Sequence, residues 1–174
     1  QLNVPGDWNT QMERLFFYEG TIWYKRSFKY DPKDEKKVIL YFEGVNYNCK
    51  VYLNGQHLGD HTGGFTPFQF DVSGLLKEDN FLILKVDNTR KRDAVPTINF
   101  DWWNYGGITR SVWLVNLPAT YIYDYSFRLK EGRPKTIEGY VQLKGDKASG
   151  QVVKLRIDEL GKVLDLKTDK EGWT

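Results

Sequence analysis

Cysteine, histidine and methionine are scarce in this 174-residue chain, which has one Cys, two His and one Met. A lone thiol, Cys49, excludes an intrachain disulfide and a thiolate metal site. It sits in the alternating run Cys49, Val51, Leu53 and is expected to be buried as a small apolar side chain. His57 and His61 have no carboxylate or cysteine at ligand spacing, so neither metal nor cofactor is expected. No run approaches the ~18 apolar residues of a membrane span, which argues against a membrane partner. The formal charge of +2 is near balance, and the basic run Arg90-Lys91-Arg92 is cut off by Asp93, so a nucleic-acid partner is not expected. The sequence has no Asn-x-Ser/Thr acceptor, no signal peptide and no start methionine, and Gln1 reads as the remainder of something longer. None of these features assigns a compartment; a periplasmic or secreted location is only a guess.

What is abundant is aromatic: 16% of residues are Phe, Trp or Tyr. Such side chains fill pleated, half-buried surfaces, so most are expected in a β core, although their flat faces also suit sugar rings. The apolar pattern has a period near two. Residues 21–30 place Ile22, Tyr24, Phe28 and Tyr30 opposite Lys25, Ser27 and Lys29; residues 80–88 align Leu82, Leu84 and Val86. Residues 37–43 are apolar throughout their middle, which predicts a strand covered on both sides. Asn54-Gly55 between apolar runs predicts a tight hairpin, because both residues tolerate positive φ. Helix signals are weak: Thr10 and Glu13 have capping-box spacing, but the apolar run behind them is too short for a helical period. The chain is therefore predicted to be all-β.

A boundary is expected near Leu117-Pro118-Ala119, giving domains over residues 1–118 and 119–174. The second part shows four plain strands (122–129, 137–143, 152–157, 163–166) with a Leu160-Gly161-Lys162 turn. An immunoglobulin-like sandwich needs about seven strands and ~100 residues, so the second domain is expected to be truncated and the natural protein to continue beyond Thr174. Half a sandwich would leave an apolar face and a sheet edge bare.

Three segments together resemble glycoside hydrolase family 2, the family of β-galactosidases, β-glucuronidases and β-mannosidases. They are Val4-Pro5-Gly6-Asp7-Trp8-Asn9 with residues 18–26; residues 42–45 through 51–55 to His61-Thr62-Gly63-Gly64-Phe65; and Phe100-Asp101-Trp102-Trp103-Asn104-Tyr105-Gly106-Gly107-Ile108-Thr109-Arg110. The resemblance covers the first 118 residues and is closest to β-glucuronidase-type members, then to β-galactosidase-type members. It implies a galactose-binding-like jelly-roll sandwich, then an immunoglobulin-like sandwich, then a downstream (β/α)₈ barrel that carries the catalytic glutamates. It also implies a carbohydrate ligand, a β-galactoside or β-glucuronide, and a homo-oligomeric full-length protein. This stretch by itself is expected to be inactive, with no catalytic residue of its own.

The resemblance assigns substrate binding to Asp101, with Trp102 and Asn104 beside it. An ionised carboxylate can accept hydrogen bonds from two neighbouring sugar hydroxyls. The competing role for Asp101 is bracketing its own loop, which Asp does readily. In an extended chain Trp102 and Trp103 point oppositely, so one is expected to face a ligand and the other the core. Asn104, Gly106 and Gly107 are expected to shape the loop, and Arg110 to be a partly buried structural arginine. Glu43 and Asp101 are not expected to form a catalytic pair, because such roles need mutual placement that the sequence does not supply. Two other readings remain open: an autonomous carbohydrate-binding module, and a purely structural sandwich.

Overall fold

The computed structural model describes residues 1–31, 37–95 and 97–174. Nine strands form among the described residues of the first compact unit, Gln1–Asn116: β1 (Gly6–Asp7), β2 (Thr21–Lys29), β3 (Lys37–Phe42), β4 (Asn48–Leu53), β5 (Gln56–Thr62), β6 (Phe68–Asp71), β7 (Asp79–Asp87), β8 (Gly107–Ile108) and β9 (Val112–Leu117), whose last residue opens the second unit. They build a four-stranded sheet ordered β2-β7-β4-β5, a three-stranded sheet ordered β6-β3-β9, and a small β1–β8 pair. Alternation decides what each strand buries. Val51 and Leu53 of β4, Leu82, Leu84 and Val86 of β7, and Val38, Leu40 and Phe42 of β3 meet in one core with Trp8, Val45 and Val72. Burying a Val, Leu or Phe side chain contributes about 1.5–3 kcal/mol, so this one cluster holds the two sheets face to face.

The expected local features are present. Asn54 (φ 52) and Gly55 (φ 86) turn β4 into β5. Cys49 is 2% exposed, and burial pushes its thiol pKa up to about 12. Thr10 does not cap a helix: its N–H and hydroxyl both donate to the Asp7 carboxylate, and only a three-residue 3-10 turn, Glu13–Leu15, follows. No α-helix occurs among the described residues, and hence none long and apolar enough to cross a membrane.

The second unit, Leu117–Thr174, contains β10 (Thr120–Lys130), β11 (Arg133–Gly145), β12 (Val152–Ile157) and β13 (Lys162–Lys167), paired as two hairpins. Gly161 closes the second hairpin in the left-handed region (φ 58). The C-terminal residues 172–174 run along β11, with Val141 and Thr174 exchanging backbone hydrogen bonds of 2.9 and 3.0 Å. A bulge at Tyr123 shifts the β10 register, so Ile122 joins Tyr125, Phe127 and Leu129 on one face opposite Leu143, Val141, Gly139 and Ile137. That face is largely open: Ile122 is 58% exposed, Tyr125 67%, Leu129 62% and Ile137 44%. This is a jelly-roll sandwich followed by part of an immunoglobulin-like sandwich.

The aromatic expectation needs correction. Among the described residues only Trp8 and Phe42 are fully buried rings, while Phe17, Trp23, Trp102, Trp113 and Tyr125 are each more than half exposed. An alternating strand gives only every second ring to the core, and the loops carry many of the others.

Candidate sugar-contacting loop

The β1–β8 pair matches Gly6 with Ile108 and Asp7 with Gly107, and so draws the first residues beneath the loop that ends at Gly107. Trp8 is wholly buried there, and its N–H donates to the Gly106 carbonyl at 2.9 Å. A Cβ on Gly106 would overlap the Trp8 indole, so this close approach requires glycine. Asn9 beside it is 1% exposed and uses its whole amide. Its Nδ2 donates to the carbonyls of Leu15 (2.9 Å), Phe16 (3.1 Å) and Tyr18 (3.1 Å), and its Oδ1 accepts the Gly106 N–H at 2.9 Å.

Two further asparagines clamp the same loop. Asn88, 1% exposed at the end of β7, donates from Nδ2 to the Asn104 carbonyl (2.9 Å) and accepts the Gly20 N–H at Oδ1 (2.9 Å). Asn46 donates from Nδ2 to the Tyr105 carbonyl at 2.6 Å and to Asn104 Oδ1 at 3.3 Å, while its backbone exchanges hydrogen bonds with Gly107 at 2.9 and 3.0 Å. Asn104 Nδ2 donates to the Asn88 carbonyl at 2.5 Å. Buried backbone groups must find partners, and side-chain amides supply a donor and an acceptor where no strand lies alongside. Asp87 fixes the strand end next to this clamp. Partial burial works against its charge, but hydrogen bonds from Thr89 and Thr21, with Lys85 nearby, hold its carboxyl below the usual range.

The clamp fixes residues 104–107 and leaves the segment before them at the surface. Asp101 is exposed, and its carboxylate makes no hydrogen bond or ion pair among the described residues. The bracketing role weighed for it is therefore not what the structure shows. Trp102 is 60% exposed, with its ring 4.9 Å from that of Phe100, over which Arg90 lies at 5.9 Å while pairing with Glu19 at 2.6 Å. Trp103 is not a core residue. It is 38% exposed and rests on Phe16 (5.1 Å) and Phe17 (5.4 Å), both at the surface. The alternation argument fails because 101–102 is a bend, not an extended strand.

Of the proposed residues, the structure thus keeps Asp101 and Trp102 at the surface and spends the Asn104 amide within the loop. Arg110 is exposed rather than partly buried: its backbone N–H donates to the Gly44 carbonyl at 3.3 Å and its aliphatic stem covers Gly44. Glu43 is committed elsewhere, accepting from Trp113 Nε1 at 3.0 Å and the Ser111 N–H at 3.3 Å. His57 does have a carboxylate partner, Asp60 Oδ1 at 2.7 Å, brought beside it by a bulge in β5. No group of three or more metal-ligating side chains occurs among the described residues. Sequence reasoning missed Asn9, Asn46 and Asn88; Asn88 directly follows a strand and Asn9 a motif tryptophan, whereas Asn46 lies between two strands and carries no such signal.

Comparison with known proteins agrees with this architecture. Residues 3–118 match the model of the glycosyl hydrolases family 2 sugar binding domain. The chain is 34% identical over 148 residues to a putative beta-glucuronidase of Formosa agariphila, covering 82% of this chain and 17% of that protein. It is 41% identical over 115 residues to a beta-galactosidase of Thermoanaerobacter pseudethanolicus, covering 63% and 16%. The beta-glucuronidase of Bifidobacterium dentium, solved with coumarin-3-O-glucuronide, superposes with a TM-score of 0.76 at 28% identity over 97% of this chain and 34% of that one. The chain thus spans between a sixth and a third of the length of these relatives. With its two sandwich units, its asparagine-clamped loop and these matches taken together, the chain belongs to glycoside hydrolase family 2.

Proposed function

We propose that this chain is a non-catalytic, sugar-contacting region of a retaining exo-β-glycosidase of the β-glucuronidase or β-galactosidase type. In this reading residues 1–118 are the sugar-binding domain and 119–174 belong to the immunoglobulin-like domain. Asp101 accepts hydrogen bonds from hydroxyls of the terminal sugar, Trp102 lines the entrance, and Asn104 contributes by holding the loop. The observation that carries it is the unengaged Asp101 carboxylate at the exposed head of a loop whose far end is locked by buried amides. A carboxylate held on a rigid base and left without an internal partner is pre-organised to accept from a ligand. The beta-glucuronidases and beta-galactosidases that the chain resembles supply the substrate class. Catalytic carboxylates would come from a barrel, and the described residues form none.

The test is Asp101→Ala in the full-length enzyme, assayed on a chromogenic β-glucuronide and a β-galactoside. Each lost charge-assisted contact removes about 1.5–3 kcal/mol, or at least ~10-fold in kcat/KM. Asp101→Asn, which keeps one acceptor oxygen, should fall between the two, with melting temperatures unchanged. Full activity in Asp101→Ala refutes the assignment and leaves this domain a buttress.

A further inference from the structure

The outer face of the four-stranded sheet carries side chains that neither the core nor the Asp101 loop uses. Directly opposed residues of antiparallel strands share a face. The register therefore sets Trp23, Lys85, Lys50 and Asp60 in one row across β2, β7, β4 and β5, and Lys25, Ile83, Tyr52 and His57 in the next. The solvent face of a sandwich sheet is ordinarily polar. Here Trp23 is 60% exposed, and its ring lies 6.5 Å from that of Tyr52 with only 30° between their planes. The Tyr52 ring continues into His57 at 5.0 Å with 42° between their planes, so the two rows offer a run of neighbouring, mutually tilted rings.

Charge frames those rings. Lys85 Nζ lies 6.0 Å from the Trp23 ring and Lys25 Nζ 5.7 Å from the ring of Phe81. Asp60, the carboxylate in these rows, is already occupied by Lys50 and by His57 at 2.7 Å. Hydrogen bonds from Lys50 and then His57 hold it ionised below the usual carboxylate range. Lys25 and Lys85 have no ion-pair partner among the described residues. Ring faces that can stack on the C–H surface of a pyranose thus lie between two ammonium groups that hold no ion pair among the described residues, with the Asp87 carboxylate in the field of Lys85. A nucleic acid would call on a wider basic surface than a chain of net charge +2 offers. A neutral sugar would leave both lysines unused.

We propose that this sheet face binds an acidic oligosaccharide, with its sugar rings laid on Trp23 and Tyr52 and its carboxylates met by Lys25 and Lys85. The site is separate from the Asp101 loop and does not depend on the role proposed for it. The test is isothermal titration of the 174-residue chain with tetragalacturonate, xylotetraose and the oligonucleotide dT8, each at low and high salt. Tetragalacturonate is expected to bind, more weakly at high salt, and xylotetraose at least ~10-fold more weakly still. Trp23→Ala is expected to cost ~10-fold or more, the loss of one stacked ring. The double variant Lys25→Gln, Lys85→Gln, both at exposed or half-exposed positions, should abolish the salt dependence even if Trp23→Ala disturbs the sheet. No heat with tetragalacturonate at millimolar concentration overturns the proposal. So does equal binding of xylotetraose, tighter binding of dT8, or unchanged binding in the lysine variant.

Discussion

Asn9→Ala tests the clamp beneath the Asp101 loop. The substitution removes one acceptor, leaving the Gly106 N–H buried without a partner, and two amide hydrogens shared among the carbonyls of Leu15, Phe16 and Tyr18. Gly106 is buried against Trp8, so water does not readily replace the lost acceptor, and an unsatisfied buried group costs about 1–3 kcal/mol. The three carbonyls lie nearer the surface and can turn partly to solvent, so they add roughly one more kcal/mol together. The sum, about 2–4 kcal/mol, should lower the melting temperature of a unit of this size by roughly 8–15 °C. Tryptophan fluorescence is a suitable readout, because Trp8 and Trp103 both flank the clamp. Asn9→Asp should be worse than Ala at neutral pH, since a carboxylate would face three carbonyl oxygens, and should improve as acid protonates it. A melting temperature for Asn9→Ala within a degree or two of the parent would show that the amide network is not what fixes the loop.

Three further outcomes follow from the structure. Cys49 should resist thiol reagents at pH 8, reacting only as the domain opens; its folded pKa near 12 exceeds the unfolded value of about 9, so the stability it contributes is whole below pH 9 and is lost as pH climbs toward 12. Rapid labelling of the native chain at pH 8 would contradict its burial. Residues 120–174 should exchange amide hydrogens faster than 1–118, because little beyond Val141, Leu143 and Thr168 is buried there; uniform protection would mean that another surface covers the open face. The isolated chain should not hydrolyse chromogenic β-glucuronides or β-galactosides, and purified turnover that vanishes in Asp101→Ala or Glu43→Gln would defeat the non-catalytic reading.

The strands were legible because their signal is local. Leu82, Leu84 and Val86 alternate within five residues, and the burial of β7 follows that alternation directly. The Asn54-Gly55 hairpin is equally local, being set by the φ angles two residues tolerate. Bulges are not readable in this way. One extra residue at Tyr123, or at Leu58–Gly59 in β5, has no compositional mark, yet it decides whether Ile122 shares a face with Tyr125 and whether His57 reaches Asp60. The clamp was hidden for a different reason. Asn9 and Gly106 are 97 positions apart, and their hydrogen bond exists only because β1 pairs with β8, two strands of two residues each.

The same distinction explains why neither Trp102 nor Trp103 lies in the core. Placing one of Trp102 and Trp103 in the core assumed extended backbone, and a bend at 101–102 removes that assumption. The Asp101 assignment came from a motif in fixed order and needed no local geometry. What the structure adds is that the motif divides at Asn104. Residues from Asn104 to Gly107 are consumed by the clamp: the Asn104 amide by Asn88 and Asn46, the Tyr105 carbonyl by Asn46, and the Gly106 N–H by Asn9. Residues 100–103 have ring contacts, the Arg90 guanidinium over Phe100 and solvent around their side chains. In the proposed role the clamp on one side of Asn104 would limit the freedom of the unpartnered carboxylate on the other, and a carboxylate without a defined position would pay the ordering entropy at each encounter with a sugar.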